Sequence, residues 1–149
     1  VCLPIFGLDL AAGTTYALAL GEAFQLINIL RDVKEDAARN RLYFAQEDLT
    51  LHGVKAEDLL AGRMSPQTER LFHDYAWRAR SCLRRADQES RSLPQNGLRP
   101  SRLMRWLYGG LLEVMAADGF KVLEKRYHLS STCKATVITR ALLHLDSAA

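Results

Sequence analysis

The chain has 149 residues, which suits one domain of ordinary size. Hydrophobic residues make up 48% and charged residues 25%, a balance that excludes disordered and collagen-like chains. The formal net charge is +3, and 15 of the 20 basic residues are arginines. Arginine suits the binding of phosphate or carboxylate, but an ordinary solvated basic surface would have the same composition. Three widely spaced cysteines (Cys2, Cys82 and Cys133) indicate neither a disulfide framework nor a zinc site, so a reducing, cytoplasmic location is expected.

Hydrophobic residues recur with the 3.6-residue period of helices, and no segment alternates in the manner of a strand, so the sequence predicts an all-α helical bundle. A first helix is predicted from Thr14 or Thr15 to about Ala38. Gly21 lies inside it, where it would serve either close helix packing or a ligand. Short helical pieces follow at residues 47–51 and 56–60.

The second half of the chain contains further helices. Ser65 is predicted as the N-cap of a helix with Pro66 in its first turn, ending near Ser92. After a break at residues 93–100, a third helix is expected over residues 101–117, with a possible extension towards Lys125, and a last one over residues 132–145. Trp77 and Trp106 are interpreted as core residues. The whole chain, residues 1–149, is expected to form one domain.

One side of the first predicted helix carries a line of polar residues: Gln25, Asn28, Asp32 and Asp36. At ~100° per residue these four side chains fall within a sector of about 80°. They could form the solvent face of an amphipathic helix. However, the segment from Ala17 to Leu30 is apolar nearly all round, which favours burial of the helix, and buried carboxylates require compensating charge.

A divalent cation would resolve that conflict. Mg²⁺ prefers carboxylate and water oxygens, and it links one or two carboxylates to substrate phosphates. Asp32 and Asp36 are therefore candidate magnesium ligands, and the neighbouring Arg31 and Arg41 could bind the remaining diphosphate oxygens. Two aspartates four residues apart also occur by chance on helices, so spacing alone leaves both interpretations open.

The complete string at residues 25–44, QLINILRDVKEDAARNRLYF, resembles the second aspartate-rich motif of the squalene and phytoene synthase family, approximately QLxNILRDVxEDxxxxRxYxP. The match holds in register at eight positions: Gln25, Asn28, Arg31, Asp32, Glu35, Asp36, Arg41 and Tyr43. The segments RLYFAQEDLTLHGV (residues 41–54) and MRWLYGGLLEVMAADGFKVLEKRYHLSSTCK (residues 104–134) also resemble the family.

The resemblance also assigns positions outside the motif. Tyr108 stands where the family has a substrate-contacting tyrosine, and Lys125 or Arg126 would supply a nearby basic group. Asn40 replaces a frequent glycine, and Phe44-Ala45 replaces the usual Leu-Pro, a variation similar to the dehydrosqualene-forming branch.

The resemblance implies the fold of an isoprenoid synthase, in which a first aspartate-rich motif on an earlier helix faces the second across a cavity. No such motif lies upstream of Thr14, and the sequence begins at Val1 without a methionine. The chain is therefore expected to be the C-terminal part of a longer synthase and inactive alone. The N-terminal half of the same protein would be its partner.

The resemblance further implies a Mg²⁺-dependent, head-to-head condensation of two prenyl diphosphates. Farnesyl diphosphate, giving presqualene diphosphate or a squalene-type product, is the first expectation, and geranylgeranyl diphosphate, giving phytoene, is the alternative. NADPH would be needed only if the product is reduced to squalene. Asp32 and Asp36 would bind metal, and the substrate would be bound by Gln25, Asn28, Arg31, Arg41, Tyr43 and Tyr108.

Two other classes of function are also weighed. A non-catalytic helical interaction protein of the same fold would not need the complete polar line. A nucleic-acid-binding module is disfavoured because the arginines are dispersed among acidic residues and no binding motif is present, so no nucleic-acid partner is expected. An apolar substrate would suit a cytoplasmic enzyme with loose, peripheral membrane association.

Overall fold

The computed structural model describes residues 10–130, which contain helices, turns and irregular segments but no strand. The predicted all-α class is confirmed. Five α-helices occur in this part of the chain: α1 (Leu10–Ala38), α2 (Gln46–His52), α3 (Ala56–Leu60), α4 (Pro66–Glu89) and α5 (Arg99–Ala117). Two 3-10 turns, Ser90–Ser92 and Gln95–Leu98, connect α4 to α5. None of the helices within residues 10–130 has both the length and the apolar composition needed to cross a membrane.

The predicted start of the first helix is wrong, whereas its end is confirmed. Within the described residues the helix already includes Leu10, ahead of Thr14 and Thr15, which agrees with the high helix propensity of the alanines at positions 11 and 12. At about 1.5 Å per residue, its 29 residues span roughly 44 Å. Helix α1 is therefore long enough to carry the whole line from Gln25 to Asp36 on one rigid element.

Helix α5 begins slightly earlier than predicted, because Pro100 fits the first turn of a helix. The predicted extension towards Lys125 is wrong. Gly119 adopts a left-handed conformation (φ 67°), and its amide and that of Phe120 donate to the carbonyl oxygens of Ala116 (3.1 Å) and Met115 (2.9 Å), which ends the helix. The helix predicted at residues 132–145 lies outside the described residues.

Helix α4 follows the prediction closely. The amide of Thr68 donates to the side-chain oxygen of Ser65 at 3.1 Å, and Pro66 occupies the first turn. Its buried residues recur every three or four positions: Thr68, Leu71, Phe72, Tyr75, Ala76, Ala79, Leu83 and Ala86. Trp77 falls off this stripe and is 62% exposed, so its interpretation as a core residue is wrong, whereas Trp106 is half-buried.

Helix α1 packs mainly along α4 and also contacts α3 and α5. Its buried side consists of Tyr16, Ala19, Leu20, Ala23, Ile27, Leu30 and Val33. The opposite side is exposed at Leu18, Gly21, Glu22 and Gln25, so α1 is not buried all round within residues 10–130. An added Cβ at Gly21 would meet no atom of residues 10–130 within 4 Å, so no close helix packing occurs there within this part of the chain.

The segment that follows α5 folds back against α1. Its apolar side chains are buried at Phe120, Val122, Leu123, Tyr127 and Leu129. The ammonium group of Lys34 donates to the carbonyl oxygen of Glu124, and Arg126 pairs with Glu35 at 3.0 Å. These long-range contacts bring basic residues from the end of the described chain to the acidic end of α1.

Candidate active site

The four residues of the polar line differ in exposure. Gln25 is exposed, whereas Asn28, Asp32 and Asp36 are half-buried, with 20% of the Asp32 side chain exposed. The line therefore passes from the open side of α1 into the region where α5 and the following segment cover the helix. It is not a uniform solvent face.

Two arginines hold Asp32. Arg31 donates from Nε to Oδ1 (2.8 Å) and from Nη2 to Oδ2 (2.5 Å), and Arg126 Nη2 lies 3.1 Å from Oδ1. Arg126 also contacts both oxygens of Glu35, at 3.0 and 3.1 Å. Two carboxylates on adjacent turns of α1 thus share a guanidinium from the far end of the described chain.

The electrostatics at Asp32 favour its ionised form. Partial burial acts to raise the pKa of Asp32, but the hydrogen bonds and charges of Arg31 and Arg126 outweigh it and hold the pKa below its ordinary value. The pKa of Arg31 is raised above its usual range, chiefly by the hydrogen bond to Asp32, with Tyr108 as a smaller contributor. Asp32 is a carboxylate at neutral pH.

The neighbouring oxygens of the line lack partners. The side-chain oxygen of Asn28 is buried, and no hydrogen-bond donor reaches it among the described residues. The carboxylate of Asp36 forms no hydrogen bond or ion pair within residues 10–130. Since an unsatisfied buried acceptor costs about 1–3 kcal/mol, Asn28 is the position of the line where an external donor or cation would stabilise the protein most.

A pocket of about 210 Å³ lies beside this charge cluster. Its lining combines polar and apolar side chains: Arg31, Tyr108, Arg126, Tyr127 and His128, and the leucines Leu107, Leu111 and Leu129. Such a lining can receive an anionic group and the hydrocarbon chain attached to it.

Besides Arg31, the structure brings two residues named in the sequence analysis to this pocket, Tyr108 and Arg126. The ring of Tyr108 stacks on Phe24, with centroids 4.2 Å apart, which fixes its position between α5 and α1. Arg41 is exposed and Tyr43 is 53% exposed, and within residues 10–130 neither side chain forms a hydrogen bond or ion pair. Their proposed contact with substrate stays a prediction.

The sequence left open which basic residue after α5 would reach the site. The ammonium group of Lys125 lies 2.5 Å from Asp118, whereas Arg126 reaches Asp32. Hydrogen bonds from Lys125 and Tyr127 lower the pKa of Asp118 to about 2, so Lys125 has a fully charged partner at neutral pH. Glu35 and Phe24 were given no separate role from sequence, because only the folded chain shows that they anchor Arg126 and Tyr108.

The turn after α1 explains one departure from the family motif. Asn40 has a positive φ of 56°, and the amide of Arg41 donates to the carbonyl oxygen of Asp36 at 2.9 Å. Glycine adopts this conformation freely and asparagine tolerates it better than most residues, so Asn40 can replace the frequent glycine. At the second departure, Ala45 has a φ of −62°, which proline would also adopt, but its amide donates to Tyr75 Oη at 3.0 Å.

The oxygen atoms of the line match the chemistry of Mg²⁺, since they belong to two carboxylates and to an amide that accepts no hydrogen bond from the described residues. They do not close a site by themselves. Within residues 10–130, no group of three or more His, Cys, Asp or Glu residues is arranged to hold a metal ion. Further oxygens, such as those of a diphosphate, would have to complete the coordination.

Comparisons with known proteins identify the family of the chain. The family model described as squalene/phytoene synthase matches residues 1–133. Phytoene synthase 3 of Zea mays is 33% identical over 147 residues, covering 95% of this chain and 34% of that protein. Presqualene diphosphate synthase of Zymomonas mobilis is 36% identical over 117 residues, covering 78% of this chain and 40% of that protein.

Solved structures give the same result for the fold. A dehydrosqualene synthase in complex with ligand superposes with a TM-score of 0.75 and 25% identity, over 89% of this chain and 47% of the other. A squalene synthase from Alicyclobacillus acidocaldarius gives a TM-score of 0.71, also at 25% identity, over 79% of this chain and 45% of the other. The chain spans less than half the length of these relatives. By its sequence match and by its helical fold, the chain belongs to the squalene/phytoene synthase family.

Proposed function

We propose that the complete protein containing this chain is a prenyltransferase that joins two prenyl diphosphates head to head. The observation that carries the proposal is the line from Asn28 to Asp36 beside a pocket lined by two arginines, two tyrosines, a histidine and three leucines. The family membership and the relatives named as phytoene synthase and presqualene diphosphate synthase support it.

The proposed reaction uses two molecules of farnesyl diphosphate. The C–O bond of one substrate breaks, and its electron pair leaves with the diphosphate. The double bond of the second substrate supplies the electrons of the new carbon–carbon bond, and loss of a proton closes the cyclopropane ring. The products are presqualene diphosphate, inorganic diphosphate and a proton. Geranylgeranyl diphosphate is the alternative substrate, and NADPH would take part only if the product is reduced to squalene.

In this proposal residues of α1, of α5 and of the segment after α1 bind and orient the charged end of the substrate. Arg31 donates to diphosphate oxygens from the guanidinium N–H groups that do not contact Asp32, and Gln25, Asn28, Arg41, Tyr43 and Tyr108 complete the contacts. Asp32 and Asp36 would bind Mg²⁺, which when bound offsets the negative charge of the departing diphosphate. Leu107, Leu111 and Leu129 keep water from the hydrocarbon chain.

The remaining carboxylates of the site are proposed to come from an N-terminal half that faces α1. The exposed side of α1, at Leu18 and Gln25, supports this arrangement. The chain of residues 1–149 alone should therefore bind diphosphate weakly and produce no product. We further propose a cytoplasmic protein that associates only peripherally with membranes.

Product analysis of the complete protein tests the proposal. Farnesyl and geranylgeranyl diphosphate are supplied separately, with and without Mg²⁺ and NADPH. Asp32→Asn and Asp36→Asn should each lower the turnover by about 100-fold or more, since each removes a carboxylate that would hold the cation which stabilises the departing diphosphate. Asp58→Asn is the matched control, because Asp58 forms a surface ion pair with Arg63 (2.6 Å between the two charged groups) and neither residue lines the pocket.

Three results would overturn the proposal in whole or in part. Absence of product from either substrate would favour a non-catalytic helical interaction protein. Unchanged turnover in the Asp32→Asn, Asp36→Asn double variant would show that these two aspartates do not bind a catalytic metal ion. Full activity of residues 1–149 alone would contradict the need for an N-terminal half.

A further inference from the structure

Asp32 is surrounded by two guanidinium groups in the place where the proposed function requires a metal ion. Each of its oxygens already accepts a hydrogen bond from Arg31, and Arg126 lies 3.1 Å from Oδ1. A divalent cation at the same carboxylate would lie next to these positive charges and would be repelled by them. Metal binding at Asp32 therefore requires at least one arginine to move away.

Arg126 is the arginine that can move without losing all its partners. Arg31 contacts Asp32 through two hydrogen bonds, whereas Arg126 contacts it through one nitrogen and contacts both oxygens of Glu35. Its side chain is 37% exposed and lines the pocket beside Tyr108. Glu35 can thus keep Arg126 at the edge of the pocket when its contact with Asp32 breaks.

We propose that Arg126 is a positioning residue shared between Asp32 and the diphosphate: it neutralises Asp32 before ligands bind and transfers to the diphosphate when a cation occupies Asp32. The inference rests on the proposed function of the site. A diphosphate presents several oxygens to a guanidinium, so it can replace the carboxylate as the partner of Arg126. Metal binding and diphosphate binding would then favour each other. A cation at Asp32 frees Arg126 to contact the diphosphate, and a diphosphate that binds Arg126 removes its positive charge from Asp32.

The inference predicts opposite effects of one substitution on two ligands. Arg126→Gln removes a positive charge from Asp32, so the complete protein should bind Mn²⁺, used in place of Mg²⁺, about 5–10-fold more tightly in the absence of diphosphate. The same variant should bind inorganic pyrophosphate about 10-fold more weakly in the presence of saturating Mg²⁺, the condition in which Arg126 is expected to contact the diphosphate, since the variant lacks the guanidinium donors. Mn²⁺ binding is measured from the electron paramagnetic resonance signal of the free ion and pyrophosphate binding by calorimetry.

The chain offers a matched control. Arg80 is 33% exposed and makes a bidentate ion pair with Glu113, at 2.8 and 3.1 Å, away from the Arg31 pocket. In Arg80→Gln the dissociation constants for Mn²⁺ and for pyrophosphate should both stay within about twofold of those of the unaltered protein, since exposed ion pairs contribute little. Arg126→Lys, which keeps the charge, should bind Mn²⁺ with an affinity within about twofold of the unaltered protein. This second variant shows whether the effect of Arg126→Gln comes from the lost charge or from a folding defect.

The possible outcomes separate this inference from the proposed function. If Arg126→Gln weakens both ligands, or changes neither, Arg126 is a structural residue and the inference is wrong, while condensation by the complete protein would still support the proposed function. If Mn²⁺ binding is tighter in Arg126→Gln, and Asp32→Asn added to that variant removes it, the inference is supported. If no variant binds Mn²⁺ through Asp32, both the inference and the metal role of Asp32 are wrong.

Discussion

Two aspartates of this chain, Asp32 and Asp48, are both held by arginine, yet their surroundings differ. Asp48 accepts hydrogen bonds from Tyr75 (2.8 Å) and from both terminal nitrogens of Arg78 (2.7 and 2.9 Å). The Tyr75 hydroxyl in turn accepts from the amide of Ala45, and Arg78 also pairs with Asp74 at 2.7 Å. Every one of these side chains has a partner within the protein, and none lines the pocket beside Arg31.

The Asp32 region contains similar groups but is incomplete. The Asn28 oxygen has no donor among the described residues, Asp36 has no partner there, and the adjoining pocket is lined by Arg31 and Arg126. A satisfied cluster such as that of Asp48 fastens α2 and its preceding turn to α4. An unsatisfied cluster beside a pocket has unused capacity to bind a ligand, and this difference separates a structural ion pair from a candidate site.

The largest effect on stability is expected at Asp48. Asp48→Ala leaves Tyr75 without its acceptor and Arg78 with Asp74 alone, at a site where only 13% of the aspartate side chain is exposed. The free energy of unfolding should fall by about 3 kcal/mol, as when one member of a largely buried ion pair is removed. Urea denaturation measures the change. In the control Asp58→Ala, at a mostly exposed pair with Arg63, the loss should stay below about 1 kcal/mol. Equal losses of unfolding free energy in Asp48→Ala and Asp58→Ala would show that the Asp48 cluster stabilises the fold no more than an exposed ion pair does.

At Asn28 a substitution is expected to raise the free energy of unfolding instead of lowering it. Asn28→Leu replaces a buried acceptor that has no donor by an apolar side chain of similar size. In the absence of ligands, the free energy of unfolding should rise by about 1–2 kcal/mol, because the desolvation penalty of the amide oxygen is removed. Gln25→Leu is the control, since Gln25 is exposed on the same line and should change stability by less than about 0.5 kcal/mol. A loss of stability in Asn28→Leu would show that the amide serves the fold, as Asp48 does.

The smallest effect is expected at the turn between the two regions, where Asn40 has a φ of 56°. Asn40→Ala should lower the free energy of unfolding by about 1 kcal/mol, because alanine adopts the left-handed conformation less readily than asparagine. Asn40→Gly should be neutral or raise it by a few tenths of a kcal/mol. Thermal and urea denaturation of the pair measure the difference. If alanine were tolerated as well as glycine, the turn would not constrain how α1 leads into the Asp48 cluster.

The sequence alone determined the helical class, the cap at Ser65, the end of the first helix at Ala38 and the two short helices, because these features depend on local periodicity and local hydrogen bonds. It also identified the line from Gln25 to Asp36, since a helix fixes the direction of each side chain from its position in the chain. The sequence analysis missed that α1 already includes Leu10 and that α5 begins at Arg99, because element boundaries depend on individual turns and prolines.

Only the tertiary structure decided which distant groups meet that line. Arg126 reaches Asp32 while Lys125 turns to Asp118, and Tyr108 stacks on Phe24, whereas Arg41 and Tyr43 stay exposed. Adjacent basic residues look equivalent in sequence. Their directions are set by how the segment after α5 buries Phe120, Val122 and Tyr127 and folds back on α1, and this packing depends on contacts some 90 residues apart in the chain.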